Sequence, residues 1–172
     1  MTWLAVIALA IYASWGAAGV MASFALVLLG LSLWSLFEYC MHRFLFHLKF
    51  GTVIGQRLIF LMHGNHHAAP NDRYRNLMPP IVSIAILGTV WCLFLALLGR
   101  MGSPLFLGFA IGYVLYDAVH YACHQFPMRS PLLRQLRRHH IRHHHSRTEG
   151  NYAITAIFWD WLFGTYIAAK NL

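Results

Sequence analysis

A long uncharged run near the N-terminus constrains this chain more than any other feature. Thirty-six consecutive residues, from Thr2 to Phe37, carry no charge. As one helix they would extend about 54 Å, whereas the hydrocarbon core of a bilayer is about 30 Å thick. The run therefore predicts two short helices, at 3–17 and 19–37, with a turn near Gly16 to Gly19. A cleaved signal peptide is the alternative, which the absence of Lys or Arg before the apolar run disfavours.

Two further apolar segments bring the number of predicted transmembrane helices to four. Residues 81–98 contain no charge and lie between a proline pair and Gly99-Arg100. A fourth span is predicted at 104–120, because Ser103-Pro104 is typical of a helix start. Only 10% of the residues are charged, against about 25% in soluble domains, which argues against a soluble enzyme.

The predicted fold is an all-α integral membrane protein with a histidine-rich helical cap. We expect a single domain over 1–172, in which the polar segments 38–80 and 121–172 form this cap. Of the 13 basic residues, only Arg100 falls in a loop on the opposite side, and the others, Lys170 included, lie in the polar segments. The positive-inside rule then places the cap in the cytosol, at a bacterial inner membrane or, in a eukaryote, at the endoplasmic reticulum. Nucleic acid is not an expected partner, because the net charge of +8 marks the cytosolic face in a membrane chain.

Ten of the 12 histidines fall into four patterned groups. They are His42 and His47 (H-x4-H), His63, His66 and His67 (H-x2-H-H), His120 and His124 (H-x3-H), and His140, His143 and His144 (H-x2-H-H). Because residues at i, i+3 and i+4 share one face of a helix, we expect each H-x2-H-H and H-x3-H group to aim its imidazoles at one point. Residues at i and i+5 diverge by about 140°, so H-x4-H requires either two different metals or an irregular turn.

The number of patterned histidines predicts two metal ions. Ten imidazoles exceed what one tetrahedral zinc can use, and they suit two metals with about five nitrogen ligands each. Imidazole binds iron, zinc, copper and nickel alike, so the ligand type does not select the metal. Five acidic residues are too few for a ferritin-like di-iron centre, and the motifs of zinc proteases, serine hydrolases and phosphate-binding loops are absent. The alternative is a basic, lipid-contacting surface that uses histidine.

The stretches around these histidines resemble one known family. They are LWSLFEYCMHRFLFH (33–47), HGNHHAAPNDRYRNLMPP (63–80), GYVLYDAVHYACH (112–124) and LRRHHIRHHH (136–145), and NYAIT and FWDWLFGTY extend the match to Tyr166. The pattern is similar to the integral-membrane fatty acid hydroxylase superfamily, which includes the sterol desaturases. Within it, the resemblance is strongest to the fatty acid 2-hydroxylases that act on sphingolipid acyl chains.

The resemblance implies a non-haem di-iron monooxygenase. The ten patterned histidines would bind two iron ions, for which zinc can substitute in purified samples. Of the two histidines that flank the last group, His139 matches a position that is not always histidine in the family, and His145 falls where an aromatic residue is usual. We therefore expect both to lie outside the ligand set, next to the ligands or at the surface. The implied reaction is an O2-dependent hydroxylation of a lipid acyl chain, at its 2-position. Since the branch's haem-carrying cytochrome domain is not found in this sequence, the expected electron donor is a separate electron-transfer protein or reductase.

One acidic residue precedes each of two ligand groups. Glu38 lies four residues before His42, and Asp117 lies three residues before His120. Such pairs share a helix face, and an acid at the end of a membrane helix is costly unless it has a function. We therefore predict that Glu38 and Asp117 accept hydrogen bonds from ligand imidazoles and orient them. An ordinary interfacial polar residue is the alternative for each.

Three other functions remain open. A hydroxylase or desaturase of the same superfamily with a sterol-like or carotenoid substrate would differ in its pocket walls, which the sequence does not locate. A metal transporter would place ionisable residues along a path through the spans, and the third span has none. A non-catalytic lipid-binding member would have broken histidine groups, whereas all four are intact here.

Overall fold

A computed structural model describes residues 2–168, and all regular structure within them is helical. The end of the predicted segment 121–172, with Lys170, lies outside these residues. The helices are α1 (Thr2–Ser14), α2 (Val20–Cys40), α3 (Val53–Ile59), α4 (Asn65–Ala68), α5 (Pro80–Leu98), α6 (Gly102–Gln125), α7 (Pro131–His145) and α8 (Phe158–Leu162).

The apolar segments fold into helices close to the predicted bounds. The chain turns between α1 and α2, where Gly16 has a φ of +65°, a conformation that favours glycine. Two stretches are long and apolar enough to cross a membrane, Val20–Phe46 and Pro80–Gln125, and the second contains both α5 and α6. The apolar part of α1 is shorter, at Trp3–Ser14. These helices are consistent with a membrane protein, and the count of four spans stays a prediction.

The chain divides into two compact units, which are described separately. The helical unit comprises Met1–Ser35 and Pro79–Leu115. Within it, α2 and α6 approach so closely that a Cβ added at Gly30 would meet the backbone carbonyl oxygen of Leu105. Small residues permit such close backbone packing between membrane helices. The prediction of one domain over 1–172 stays a prediction.

The histidine unit comprises Leu36–Met78 and Tyr116–Leu172 and contains every histidine of the chain. Tyr39, Tyr152 and Ala153 form a buried cluster in its core. The hydroxyl of Ser130 accepts a hydrogen bond from the Leu133 amide and caps the start of α7.

Two stretches of this unit are π-helical, and each contains a histidine. Met41–Phe46 continues α2, and Phe60–Gly64 joins α3 to α4. In a π-helix the hydrogen bond joins residues i and i+5, so the wider turn brings residues at this spacing nearer to one another. One of the two alternatives for the H-x4-H spacing of His42 and His47 is an irregular turn, and the structure contains this turn.

Candidate metal centre

Ten imidazoles of the histidine unit gather into two groups of five. Within each group, the nitrogen atoms available to a metal all lie within 4.8 Å of one another. The first cluster consists of His42, His47, His63, His67 and His143. The second cluster consists of His66, His120, His124, His140 and His144. These are the ten histidines of the four sequence patterns.

In the first cluster, the Nε2 atoms face one another across a small space. The Nε2 of His63 lies 3.0 Å from that of His42 and 2.8 Å from that of His67. The Nε2 of His143 lies 3.1 Å from that of His67 and 3.2 Å from that of His47. One metal ion placed among these atoms could bind all five nitrogens.

The second cluster has the same construction. The Nε2 of His66 lies 3.0 Å from that of His120 and 2.9 Å from that of His144. The Nε2 of His140 lies 2.8 Å from that of His124 and 3.1 Å from that of His144. No carboxylate belongs to either five-member group, so both donor sets are made of imidazole alone.

The two H-x2-H-H groups do not aim at one point, contrary to the sequence-based expectation. His63 and His67 belong to the first cluster, whereas His66 belongs to the second. On a helix, residues at i and i+4 differ by only about 40° in direction, but the residue at i+3 lies about 100° from the one at i+4. A helix segment lying between two sites therefore sends its i, i+4 pair to one site and the remaining histidine to the other.

The second H-x2-H-H group is divided in the same way, but here the i, i+4 pair belongs to the second cluster. His140 and His144, at i and i+4, belong to the second cluster, and His143 belongs to the first. The H-x3-H pair of His120 and His124 stays together, as its i, i+4 spacing predicts.

Hydrogen bonds donated by the Nδ1 atoms fix the orientation of several rings. In the first cluster, the Nδ1 of His42 donates to the Tyr152 carbonyl at 2.6 Å, and the Nδ1 of His143 donates to the Gly150 carbonyl at 2.8 Å. Because Nδ1 carries the proton in these rings, the Nε2 lone pair is directed at the cluster. This arrangement is characteristic of metal-binding histidines.

Burial keeps these rings neutral, as a metal ligand requires. Desolvation, and then the charges of neighbouring histidines, lowers the pKa of His63 and His140 well below the usual range. Burial also lowers the pKa of His66 to about 4 and that of His67 to about 3. Five converging neutral nitrogens on each side fit a divalent transition metal, and this donor chemistry suits iron and zinc equally.

The predicted acceptors Glu38 and Asp117 are both buried in the histidine unit. The carboxylate of Glu38 accepts hydrogen bonds from the amides of Ile154 and Thr155 at 3.1 and 2.8 Å, and from the Thr155 hydroxyl at 2.8 Å. Asp117 accepts from the Met78 amide, and its Oδ1 has no hydrogen-bond partner. The Nδ1 atoms of His42 and His120 donate instead to backbone carbonyls. A direct role for either acid in orienting a ligand stays a prediction.

Asp160 is a functional candidate that the sequence reasoning missed. It is fully buried, and its carboxylate accepts from the Tyr152 and Ala153 amides at 2.9 and 2.8 Å and from the Thr165 hydroxyl at 2.7 Å. His139 donates to it through Nε2 at 2.9 Å. Asp160 thus fixes the segment whose carbonyls orient ligands of the first cluster. The sequence does mark Asp160, because it is one of only five acidic residues and lies within the aromatic run FWDWLFGTY.

Asn76 is the second residue that sequence reasoning missed. Its Oδ1 accepts from the Nδ1 of His66 at 3.1 Å, and its backbone carbonyl accepts from the Nδ1 of His120 at 2.9 Å. One buried residue therefore orients two ligands of the second cluster. No feature of the pattern RNLMPP distinguishes this asparagine from a loop residue.

The two flanking histidines lie outside both clusters. His139 is buried and contacts Asp160, whereas His145 is exposed. Neither belongs to a five-member group.

Comparison with known proteins places these features in a family context. The sequence model described as "Fatty acid hydroxylase" matches residues 27–165. The chain is 41% identical over 149 residues to a fatty acid 2-hydroxylase of Macaca fascicularis, which covers 84% of this chain and 40% of that protein. It is 34% identical over 146 residues to a dihydroceramide fatty acyl 2-hydroxylase, FAH1, of Arabidopsis thaliana, with coverage of 84% and 62%.

A solved structure has the same fold. It is described as full-length scs7p with only the hydroxylase domain visible, and it superposes with a TM-score of 0.87 at 34% sequence identity. The superposition covers 97% of this chain and 66% of that one. The chain thus spans less than two thirds of the length of these curated relatives.

Proposed function

The chain belongs to the fatty acid hydroxylase family, and on this premise we propose that it hydroxylates a lipid acyl chain, at the 2-position, in an O2-dependent reaction at the two histidine clusters. The observation that carries the proposal is the convergence of ten imidazoles on two points within the part of the chain that matches the family. The names of the relatives, fatty acid 2-hydroxylase and dihydroceramide fatty acyl 2-hydroxylase, support an acyl chain as the substrate.

The proposed cofactor is a pair of iron ions, one in each cluster. When bound, they would supply the activation of O2 and the oxidation of an unactivated C–H bond, which side chains alone cannot perform. The overall reaction inserts one oxygen atom into the C–H bond and reduces the other to water. Two electrons and two protons must therefore come from outside, and we propose a separate electron-transfer protein or reductase as the donor.

The protein's own groups hold and orient the ligands. The Nε2 atoms of the ten clustered histidines would hold the metals, and the carbonyls of Gly150 and Tyr152 and both acceptors of Asn76 keep four of these rings in position. The burial of His42, His63 and His140 excludes water from the inner side of the site. We propose that the site faces the cytosol, because most Lys and Arg residues lie in the same segments as the histidines.

The test is mass spectrometry of hydrolysed acyl chains from aerobic cells supplied with ¹⁸O2. We compare cells producing the wild type, His143→Ala, His145→Ala and no protein. His143 belongs to the first cluster, whereas His145 is an exposed histidine two positions away that belongs to neither, so it is a matched control. We expect ¹⁸O-labelled 2-hydroxyacyl chains with the wild type and His145→Ala only.

Three results would count against the proposal. Absence of a labelled acyl product, with donor, reductase and candidate lipids supplied, would contradict it. Labelled sterol or carotenoid products would support the other substrate class of the family instead. Metal-dependent transport without oxygen uptake would indicate a transporter. Zinc in a purified sample would not decide the matter, because zinc competes well for nitrogen ligands.

A further inference from the structure

A cavity on α7 contains three arginines and lies outside both metal clusters. It has a volume of about 410 Å³, and its walls include Arg134, Arg138, Arg142, Gln135, His139 and Tyr166. We propose that this cavity binds a phosphate group, either as a free anion or as the head group of a phospholipid. The proposal concerns a site separate from the hydroxylation site and does not depend on the proposed function.

The three arginines form a row along one face of α7. They lie at i, i+4 and i+8, which spreads their directions over only about 80° of the helix circumference. His143, a ligand of the first cluster, points about 180° away from Arg134 on the same helix. The helix thus directs the imidazoles of His140, His143 and His144 toward the metal clusters and presents these three guanidinium groups on the opposite face.

The positive charge of this row is not compensated by the protein. Within residues 2–168, no carboxylate forms an ion pair with Arg134, Arg138 or Arg142. No acidic residue lines the cavity. The same three arginines border a second cavity of about 610 Å³, whose walls also lack acidic residues and include Arg137. Like charges at i and i+4 destabilise a helix, so an anion between them would relieve a repulsion.

The start of α7 increases this positive potential. The first turn of a helix favours acidic residues, because the N-terminal end of the helix dipole is positive. In α7 the first turn contains no acid, and Arg134 follows directly after it. Pro131, the first helical residue, also lines the cavity.

The carboxylate of Asp160 contacts a residue of the cavity wall. His139, on the cavity wall, is bonded to Asp160, and both carboxylate oxygens of Asp160 accept hydrogen bonds from protein donors. Asp160 is also fully buried. Its hydrogen bonds hold the carboxylate toward Tyr152, Ala153 and Thr165, and against its single negative charge the cavity walls set three guanidinium groups.

The chemistry of the walls favours phosphate over other anions. Guanidinium groups form paired N–H···O bonds with phosphate oxygens, and three of them can surround a tetrahedral anion. Gln135 adds amide donors, and Tyr166 adds a hydroxyl. The volume lies within the range of small-molecule sites, about 300–1,000 Å³, so it admits a phosphate ester as well as the free ion.

The experiment measures two probes on the metal-loaded, detergent-solubilised protein. Inorganic phosphate is titrated by calorimetry, and retained phosphatidic acid is counted by native mass spectrometry against phosphatidylcholine. The variants are Arg138→Gln, which removes a cavity guanidinium, and Arg147→Gln, which removes an equal charge from an exposed position outside the cavity. Arg138→Lys keeps the charge but loses the paired geometry, and the metal content of each variant checks its folding.

We expect Arg138→Gln to weaken binding by about tenfold or more, Arg138→Lys to lie between it and the wild type, and Arg147→Gln to stay within about twofold. Binding of inorganic phosphate identifies a soluble anion as a ligand, and selective retention of phosphatidic acid identifies a lipid head group. Either result supports the proposal. It is overturned if the wild type binds neither probe, or if Arg138→Gln and Arg147→Gln weaken binding equally.

Discussion

The two histidine clusters have equivalent ligand sets but different supports. In the first cluster, the carbonyls of Gly150 and Tyr152 orient two rings, and that segment is itself held by Asp160. Glu38 holds the same segment two residues further on, at Ile154. In the second cluster, Asn76 alone supplies two acceptors directly to the rings.

The difference shows how two equal metal sites can depend on unequal structures. The first cluster is oriented through a network in which buried carboxylates fix a backbone segment and the segment fixes the rings. The second is oriented through one side chain and its own carbonyl. We therefore expect that perturbing the network affects both folding and the first metal, whereas perturbing Asn76 affects the second metal and little else.

The largest effect is expected for Asp160→Asn. An amide cannot accept all four of the hydrogen bonds that the Asp160 carboxylate receives, so buried donors lose their partner. Breaking a buried, hydrogen-bonded pair typically costs about 3–5 kcal/mol, and we expect a marked fall in the thermal unfolding temperature together with loss of one metal per chain. Asp72→Asn, at an exposed ion pair with Arg75, is the control and should change stability by less than about 1 kcal/mol.

A double variant identifies which metal is lost. His120→Ala removes a ligand of the second cluster, so the metal that remains in that background belongs to the first. Adding Asp160→Asn should then remove the remaining metal, as elemental analysis would show. Retention of that metal would show that the network does not support the first cluster.

A smaller and more local effect is expected for Asn76→Ala. The Nδ1 of His66 loses its acceptor, while the backbone carbonyl that serves His120 remains. Loss of such a partner typically lowers metal affinity by about 10–100-fold, and competition with a chelator would measure it for the second site. Asn71→Ala, an exposed asparagine in the same connection, should leave both affinities unchanged. Equal weakening of both metals would remove the distinction between the two supports.

The smallest effect is expected for Glu38→Gln. The amide oxygen can still accept from the Ile154 and Thr155 amides, and the Thr155 hydroxyl can turn to accept from the new NH2 group, so the main loss is the charge on these bonds. Bonds to a charged acceptor are roughly twice as strong as neutral ones, so we expect a destabilisation of about 1 kcal/mol and a first-cluster affinity within about tenfold of the wild type. If Glu38→Gln instead abolished binding of the first metal, the carboxylate would act on a ligand directly, as the sequence suggested.

The sequence predicted the helices and the histidines better than it predicted their arrangement. The uncharged runs defined helices whose bounds agree with the structure to within about five residues, because apolar length and Gly or Pro boundaries are local properties. The four histidine patterns identified all ten clustered rings. The helix spacing explains why His66 and His143 separate from their neighbours only once each helix is known to lie between two sites, and that position is a property of the tertiary structure.

The residues that support the rings were harder to predict for the same reason. Glu38 and Asp117 were selected by their spacing from a histidine, whereas the acceptors observed for His42 and His120 are carbonyls distant in sequence. Every residue carries a backbone carbonyl, so a sequence motif cannot identify the one that accepts a given hydrogen bond. Only the acids that fix such a segment, here Asp160 and Glu38, leave a trace in the sequence.

The π-helical turn at Met41–Phe46 has a consequence for the length of the chain at this point. Such a turn contains one residue more than the α-helical turn it replaces, and this extra residue lets His42 and His47 reach the same cluster. In an α-helix the spacing that brings two histidines to one cluster is i and i+4, as His120 and His124 show on α6. The π-helical winding therefore lets a five-residue spacing do what a four-residue spacing does on an α-helix, and it makes the backbone of Met41–Phe46 as much a part of this metal site as the imidazoles.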